Sequence, residues 1–215
     1  MDDFFKNLII ENKDLNTNSA NRVPICIVVD TSFSMNENDR IGEVSKGLAS
    51  FIRDGIDNEY AVDSIELCII AFEDNNAVVI QPFANLRNVS FKPLKASGQT
   101  PLGKGVSLAL EEIDEILRKY TNAGIMPYKP RLVIMSDGAV NDDISKVSRE
   151  VRNRISNRSL KVSCIDMGNG GKTDLDKFTI DGSSESISSF DMKNFFSMLS
   201  RSCAALSLSS PGEDN

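Results

Sequence analysis

Three oxygen-bearing side chains stand at alternate positions immediately after an apolar run. Asp30, Ser32 and Ser34 follow the segment 23–29 in the pattern D-x-S-x-S. Side chains two residues apart in an extended chain point the same way, so these three can converge on one point beyond the end of a strand. A carboxylate and two hydroxyls suit a hard cation such as Mg²⁺. Three ligands are too few for a complete site, so others must come from elsewhere in the chain.

Two further oxygen donors stand at positions where such a site could use them. Thr100 precedes Pro101 at the predicted start of a helix, where proline is favoured, and Asp137 follows the apolar segment 131–136. In open parallel sheets, ligands bind where the carboxyl ends of strands meet at the switch point of the topology. If the two strands before the aspartates are neighbours, both carboxylates share one crevice. The predicted metal ligands are Asp30, Ser32, Ser34, Thr100 and Asp137, with water in the remaining positions of an octahedron.

The elements that would carry these donors alternate between strand and helix along the chain. This order predicts an α/β fold, a doubly wound and mostly parallel open sheet with helices on both faces. Segments 64–72 and 77–80 are joined by so short a turn that only a hairpin fits, which makes 77–80 an antiparallel edge strand, followed by a loop over 82–99. The remaining predicted strands are 23–29, 131–136, 160–167 and a weaker one at 184–189; helices are expected at about 41–52, 101–120, 142–157 and 192–203.

Length and composition bound the class of protein. The 215 residues fit one domain, predicted at 23–207, preceded by a polar arm or linker at 1–22 and followed by a polar tail at 208–215. A net charge of −7 disfavours nucleic acid and anionic membranes as partners. The sequence starts without the basic and apolar stretches of a signal peptide and has no apolar run long enough to span a bilayer, so a cytoplasmic location is predicted.

Histidine and cysteine usage narrows the chemistry further. The sequence contains no histidine, which excludes His-based acid–base catalysis, the Ser-His-Asp triad and the usual zinc ligands. The four cysteines form no C-x-x-C pair, and three lie in apolar, strand-like runs. Buried, reduced thiols are the expected state, since free cysteine is among the most buried residue types.

The motifs D-x-S-x-S, Gly-Gln-Thr-Pro-Leu-Gly (98–103) and Ser-Asp-Gly (136–138), in this order, resemble the metal-ion-dependent adhesion site (MIDAS) of von Willebrand factor A (VWA) domains. The resemblance covers about residues 23–206, and all five motif positions are filled. It implies that the hydroxyls bind Mg²⁺ directly, with Mn²⁺ and Ca²⁺ as alternatives, and that one or both aspartates often act through water. It also implies that a partner protein's Asp or Glu completes the metal shell, so the chain is expected to bind rather than catalyse.

Two finer expectations accompany the resemblance. Phe33 occupies a motif position where the family commonly has glycine, and its ring either contacts the partner or packs beneath the loop. The segments 81–83 and 98–103 resemble those of compact bacterial VWA proteins from tellurite-resistance and stress clusters, which are associated with protein kinases and phosphatases. A signalling role with such a partner is the resulting expectation.

Two enzymatic alternatives fit the sequence less well. The stretch 98–105 nearly spells a P-loop, but Gly105 stands where Mg²⁺ chemistry needs a hydroxyl. A phosphotransferase of haloacid-dehalogenase type would use Asp30 as its nucleophile, yet such enzymes need a second carboxylate two residues later, where this chain has Ser32. The acidic segment 141–143 could mimic a later motif of these enzymes, although capping of the following helix is the favoured interpretation.

Overall fold

The computed structural model describes residues 17–73, 75–137, 140–168, 172–182, 185–186 and 192–206. Within these ranges six strands form one sheet: β1 Val23–Val29, β2 Ile65–Glu73, β3 Asn76–Asn85, β4 Arg131–Ser136, β5 Lys161–Asp166 and β6 Glu185–Ser186. Their order across the sheet is β3-β2-β1-β4-β5-β6. Only β2 and β3 pair antiparallel, and every other neighbouring pair is parallel. The predicted edge hairpin is therefore confirmed.

Helices cover both faces of this sheet. They are α1 Arg40–Ile56, α2 Ala61–Ser64, α3 Leu102–Asn122, α4 Ser145–Ser156, α5 Lys172–Leu175 and α6 Met192–Leu206, with short 3-10 segments at Phe33–Asp39, Leu86–Asn88 and Asp176–Phe178. The apolar stripes of α1 and α6 pack on one face, whereas those of α3 and α4 pack on the other. The doubly wound α/β architecture predicted from the sequence is thus confirmed.

The central strand β1 explains why its sequence is continuously apolar. Ile25 and Ile27 face the core beneath α1 and α6, while Cys26 and Val28 face the core beneath α3 and α4. All four side chains are fully buried. Burial of an aliphatic side chain contributes about 1.5–3 kcal/mol, so a strand apolar on both faces is fixed firmly at the centre of the sheet.

One local prediction was wrong, and another holds only in part. The loop expected from residue 82 begins later, because β3 continues to Asn85 through an irregular register opposite Leu67–Ile70. Pro82 lies within that irregularity, and an edge strand tolerates a residue without an N–H donor. The capping expected of the acidic segment 141–143 is divided between two helices: Asp143 Oδ1 accepts from Ser145 N at 2.9 Å, at the start of α4, whereas Asp142 accepts from Gly103 N and Lys104 N at 2.9 Å, in the first turn of α3.

The ends of the chain add two observations. Arg22, just before β1, is fully buried, and its Nε donates to Glu66 Oε1 at 3.0 Å. The bond ties the residues that precede the sheet to β2. The predicted strand 184–189 overlaps β6, with 184 and 187–189 lying outside the described residues. Most of the predicted arm and all of the predicted tail also lie outside them. The division into arm, domain and tail therefore stays a prediction.

The strand order sets the location of the candidate site. β1 pairs with β2 on one side and with β4 on the other, and Val29 lies opposite Met135 in the β1–β4 register. The chain leaves β1 toward one half of the sheet and returns at β4 to build the other half. Residues that directly follow these two strands therefore face each other at the switch point, where open α/β sheets bind ligands.

Candidate metal site

Asp30 begins the loop that follows β1, and hydrogen bonds fix both its main chain and its side chain. Its main-chain N donates to Met135 O at 2.8 Å, which extends the pairing of β1 with β4 by one residue. Its fully buried side chain accepts from Ser32 N at Oδ1 (2.8 Å) and from Ser136 Oγ at Oδ2 (2.5 Å). The carboxylate is thus oriented by the loop after β1 and by the last residue of β4.

The serine hydroxyls connect this loop to the one after β4. Ser32 Oγ and Ser34 Oγ lie 3.0 Å apart, and Ser34 Oγ donates to Asp137 Oδ1 at 2.7 Å. Ser32 and the Asp137 carboxyl are buried, while Ser34 is half-buried. Four of the five predicted ligands therefore meet in one network, although 103 residues of sequence separate Ser34 from Asp137.

Thr31 points away from this network and anchors the loop to β2. Its Oγ1 donates to Phe72 O at 2.7 Å and accepts from Phe72 N at 2.9 Å, so the side chain replaces one rung of the strand ladder. Its carbonyl accepts from Ser97 N at 2.6 Å, and Phe33 N donates to Gly98 O at 3.2 Å. These two main-chain bonds hold the loop before α3 against the loop after β1.

Thr100 is buried at the end of that second loop, just before α3. Its carbonyl accepts from Asn141 N at 3.2 Å, and Asp142 holds the first turn of α3 from the same side. The Thr100 hydroxyl takes no part in the side-chain network of the other four residues. Main-chain contacts thus place Thr100 next to Asn141, in the segment that follows Asp137.

Arg40 is the residue that sequence analysis missed. Its Nη1 donates to Asp137 Oδ2 at 2.7 Å, and the two side chains are almost completely buried. Arg40 is the first residue of α1, where a cation opposes the helix dipole. A basic residue at a helix N-terminus next to an acidic motif was the available signal, but only the fold reveals which carboxylate it meets.

Burial dominates the electrostatics of the cluster. Desolvation raises the pKa of Asp30 above its usual value, hydrogen bonds from Ser136 and Ser32 lower it in part, and the nearby Asp137 charge raises it again. A nearby cation stabilises the charged form of such a buried carboxylate. The cluster therefore favours a positive charge beside Asp30.

Two packing features surround the network. Gly168, which follows β5, lies so close to Asp137 that an added Cβ would sit 2.4 Å from the Asp137 carbonyl oxygen. Gly105 in α3 leaves no room for a Cβ either, with Phe72 at 2.7 Å, so glycine at this P-loop-breaking position serves helix–sheet packing.

Phe33 is 74% exposed and lies on the rim of the cluster rather than beneath the loop.

The donor chemistry of this cluster fits a hard divalent cation. Two carboxylates and the hydroxyls of Ser32, Ser34 and Thr100 are oxygen donors of the type that Mg²⁺ prefers. Within the described residues no group of three or more His, Cys, Asp or Glu side chains could hold a metal. A site here would therefore depend on hydroxyl ligands, as the D-x-S-x-S pattern predicts.

The sheet order and helical layers define a VWA-like fold, and solved structures with this fold are its structural neighbours. The pilus adhesin SpaC from Lactobacillus rhamnosus GG aligns with a TM-score of 0.67 at 12% identity, over 86% of this chain and 31% of that one. The vWF domain of the type V pili tip protein Mfa5 from Porphyromonas gingivalis aligns with a TM-score of 0.66 at 10% identity, over 89% and 98%.

A third neighbour carries a metal in its motif. Proximal thread matrix protein 1 from the mussel byssus, with a zinc-occupied MIDAS motif, aligns with a TM-score of 0.54 at 16% identity, over 85% of this chain and 47% of that one. No protein-family model and no curated protein sequence matches the chain. In addition, no helix in the described ranges is long and apolar enough to cross a membrane.

Proposed function

We propose that this chain is a protein-binding module that captures an Asp or Glu side chain of its partner through a bound divalent cation, Mg²⁺ in the first instance. The observation that carries the proposal is the network of Asp30, Ser32, Ser34 and Asp137 at the switch point of the sheet. Thr100 is the proposed fifth ligand. Neutral hydroxyls add no charge, so the cation stays attractive to an incoming carboxylate.

The phosphotransferase alternative lacks a residue that its chemistry needs. Such an enzyme uses a second carboxylic acid, two residues after its nucleophile, to protonate the leaving group. This chain has Ser32 at that position, and a hydroxyl is too weak an acid for the task. Hydrogen bonds from Ser32 N and Ser136 Oγ orient the Asp30 carboxylate and leave lone pairs on both of its oxygens for a cation.

Phe33 is proposed as the partner contact on the rim of the site. An aromatic ring that is 74% exposed offers a partner a large apolar area beside the metal. In Phe33→Ala we expect about tenfold weaker partner binding, because central aromatic contacts often contribute more than 1 kcal/mol. Metal affinity measured by calorimetry should not change, since the Phe33 side chain supplies no ligand oxygen.

The partner class and compartment follow from the resemblance and from the cysteines. Intracellular kinases and phosphatases of bacterial stress signalling are the partners to test first, as expected for the compact VWA proteins that this sequence resembles. All four cysteines are free and buried, which fits the reducing cytoplasm. A net charge of −7 favours a partner that brings an acidic residue within a neutral or basic surface.

A pull-down from native cell extract, with Mg²⁺ or with EDTA, tests the proposal. Asp30→Ala should lose the partner that the wild type retains in Mg²⁺, and Asp54→Ala, an exposed carboxylate on α1, is the matched control. Retention of the same partner in EDTA would contradict a metal-mediated contact. Phosphatase activity that disappears in Asp30→Ala would instead favour the enzyme alternative.

A further inference from the structure

Arg40 is held in a position that its own helix disfavours. It is the first residue of α1, at the positive end of the helix dipole, and it is only 7% exposed. Arginine is rarely buried without a paired acid. The contacts that offset these costs are to Asp137 Oδ2 at 2.7 Å, Ser34 O at 3.4 Å and Glu37 Oε2 at 3.6 Å.

The Asp137 contact gives Arg40 a direct link to the proposed metal site. Asp137 has no exposed side-chain surface. Its Oδ1 accepts from Ser34 Oγ and its Oδ2 accepts from Arg40 Nη1. Glu37, the other acid near Arg40, is 70% exposed and lies farther away, so water screens its charge. The guanidinium therefore acts mainly on the buried carboxylate.

A guanidinium has no lone pair, so it changes the charge of the site without becoming a ligand. Asp30 and Asp137 together carry −2, and Arg40 reduces the total to −1. A divalent cation in this site leaves a net charge of +1 rather than zero. Before the metal binds, the guanidinium weakens the attraction of the site for the cation, because it lowers the net negative charge from −2 to −1. Once the metal is bound, the net charge of +1 attracts an incoming carboxylate.

We propose that Arg40 has two opposite effects on the metal site: it weakens binding of the divalent cation, and it strengthens capture of a carboxylate by the bound cation. The inference rests on the proposed metal-dependent function and adds a residue outside the five ligands. Arg40 therefore favours the ternary complex of protein, metal and acid over the binary complex of protein and metal.

The test uses two variants that separate charge from hydrogen bonding. Arg40→Gln keeps a donor for Asp137 without the charge, and Arg40→Lys keeps the charge. Calorimetric titration with Mn²⁺ is performed in chloride and in acetate at equal ionic strength, with acetate as the carboxylate probe. Because coupling is reciprocal, tighter Mn²⁺ binding in acetate reports capture of the carboxylate.

In Arg40→Gln we expect Mn²⁺ to bind on the order of tenfold more tightly in chloride, with a smaller gain from acetate than in the wild type. Arg40→Lys should resemble the wild type in both measurements. Equal or weaker Mn²⁺ binding by a folded Arg40→Gln would overturn the role of Arg40 alone. If the wild type binds no Mn²⁺, the proposed metal site is wrong, and so is this inference.

Thermal unfolding in EDTA and in Mn²⁺ provides a second readout. Loss of the guanidinium leaves the buried Asp137 charge uncompensated, so Arg40→Gln should unfold at a lower temperature in EDTA. Mn²⁺ should then raise its unfolding temperature by more than it raises that of the wild type. If Arg40→Gln fails to fold even with Mn²⁺, Arg40 is a structural residue and the proposal is wrong.

Discussion

Replacement of Thr31 by valine tests how the loop after β1 is held. The substitution keeps the shape of the side chain and removes its hydroxyl, which both donates to Phe72 O (2.7 Å) and accepts from Phe72 N (2.9 Å). Both partners lie in a residue that is 4% exposed, so water cannot replace the lost hydroxyl. A buried polar group left without a partner costs about 1–3 kcal/mol.

With two such groups orphaned, the free energy of unfolding of Thr31→Val should fall by about 2–5 kcal/mol, after the added methyl group offsets part of the loss. Thr31→Ser is the matched control, because it keeps the hydroxyl and removes one methyl group, at about 1 kcal/mol. Urea unfolding in EDTA, followed by circular dichroism, measures all three proteins. If Thr31→Val were as stable as Thr31→Ser, the hydroxyl would not hold the loop to β2.

Three further predictions concern the site and the thiols. Asp30→Asn should raise the unfolding temperature in EDTA at pH 7, where the raised pKa of the buried carboxyl makes its charged form unfavourable; this advantage should vanish at low pH, and Mn²⁺ should no longer stabilise the variant. Gly168→Ala should weaken Mn²⁺ binding in calorimetry, because its Cβ displaces the Asp137 main chain. Burial raises the pKa of Cys164 to about 12 and of Cys203 to about 11, so a thiol reagent at pH 8 should label both rapidly only in urea.

The part of the fold that could be predicted from sequence is the part with strong local patterns. Apolar runs and helical stripes located the strands and helices of the doubly wound sheet, and the turn at 73–76 predicted the antiparallel edge. The predicted loop over 82–99 ended this strand before Pro82, but β3 continues to Asn85, because pairing opposite Leu67–Ile70 outweighs one missing N–H donor. Such long-range compensation leaves no trace in a local pattern.

The candidate site, like the fold, was predictable where the signal lies in neighbouring residues, and it was missed where the signal depends on residues far apart in the sequence. The alternation of Asp30, Ser32 and Ser34 and the strand before Asp137 were sufficient to predict residues that meet in one network. Their role as metal ligands stays a prediction. Arg40 was missed because its meaning depends on Asp137, which is 97 residues away. A charge at a helix start becomes informative only when the opposing strand end is known.

The candidate metal site is built from residues that are far apart in the sequence, and this has a consequence for protein synthesis. Ser34 and Asp137 join strands that are neighbours in space but far apart along the chain. A growing chain on the ribosome completes β1, β2, β3 and α3 before β4 exists, so it cannot assemble the candidate metal site during that time. Contacts between distant segments form late, since a large loop must close first. Partner capture would therefore be restricted to chains whose central sheet is finished, and truncated products would stay outside the complex.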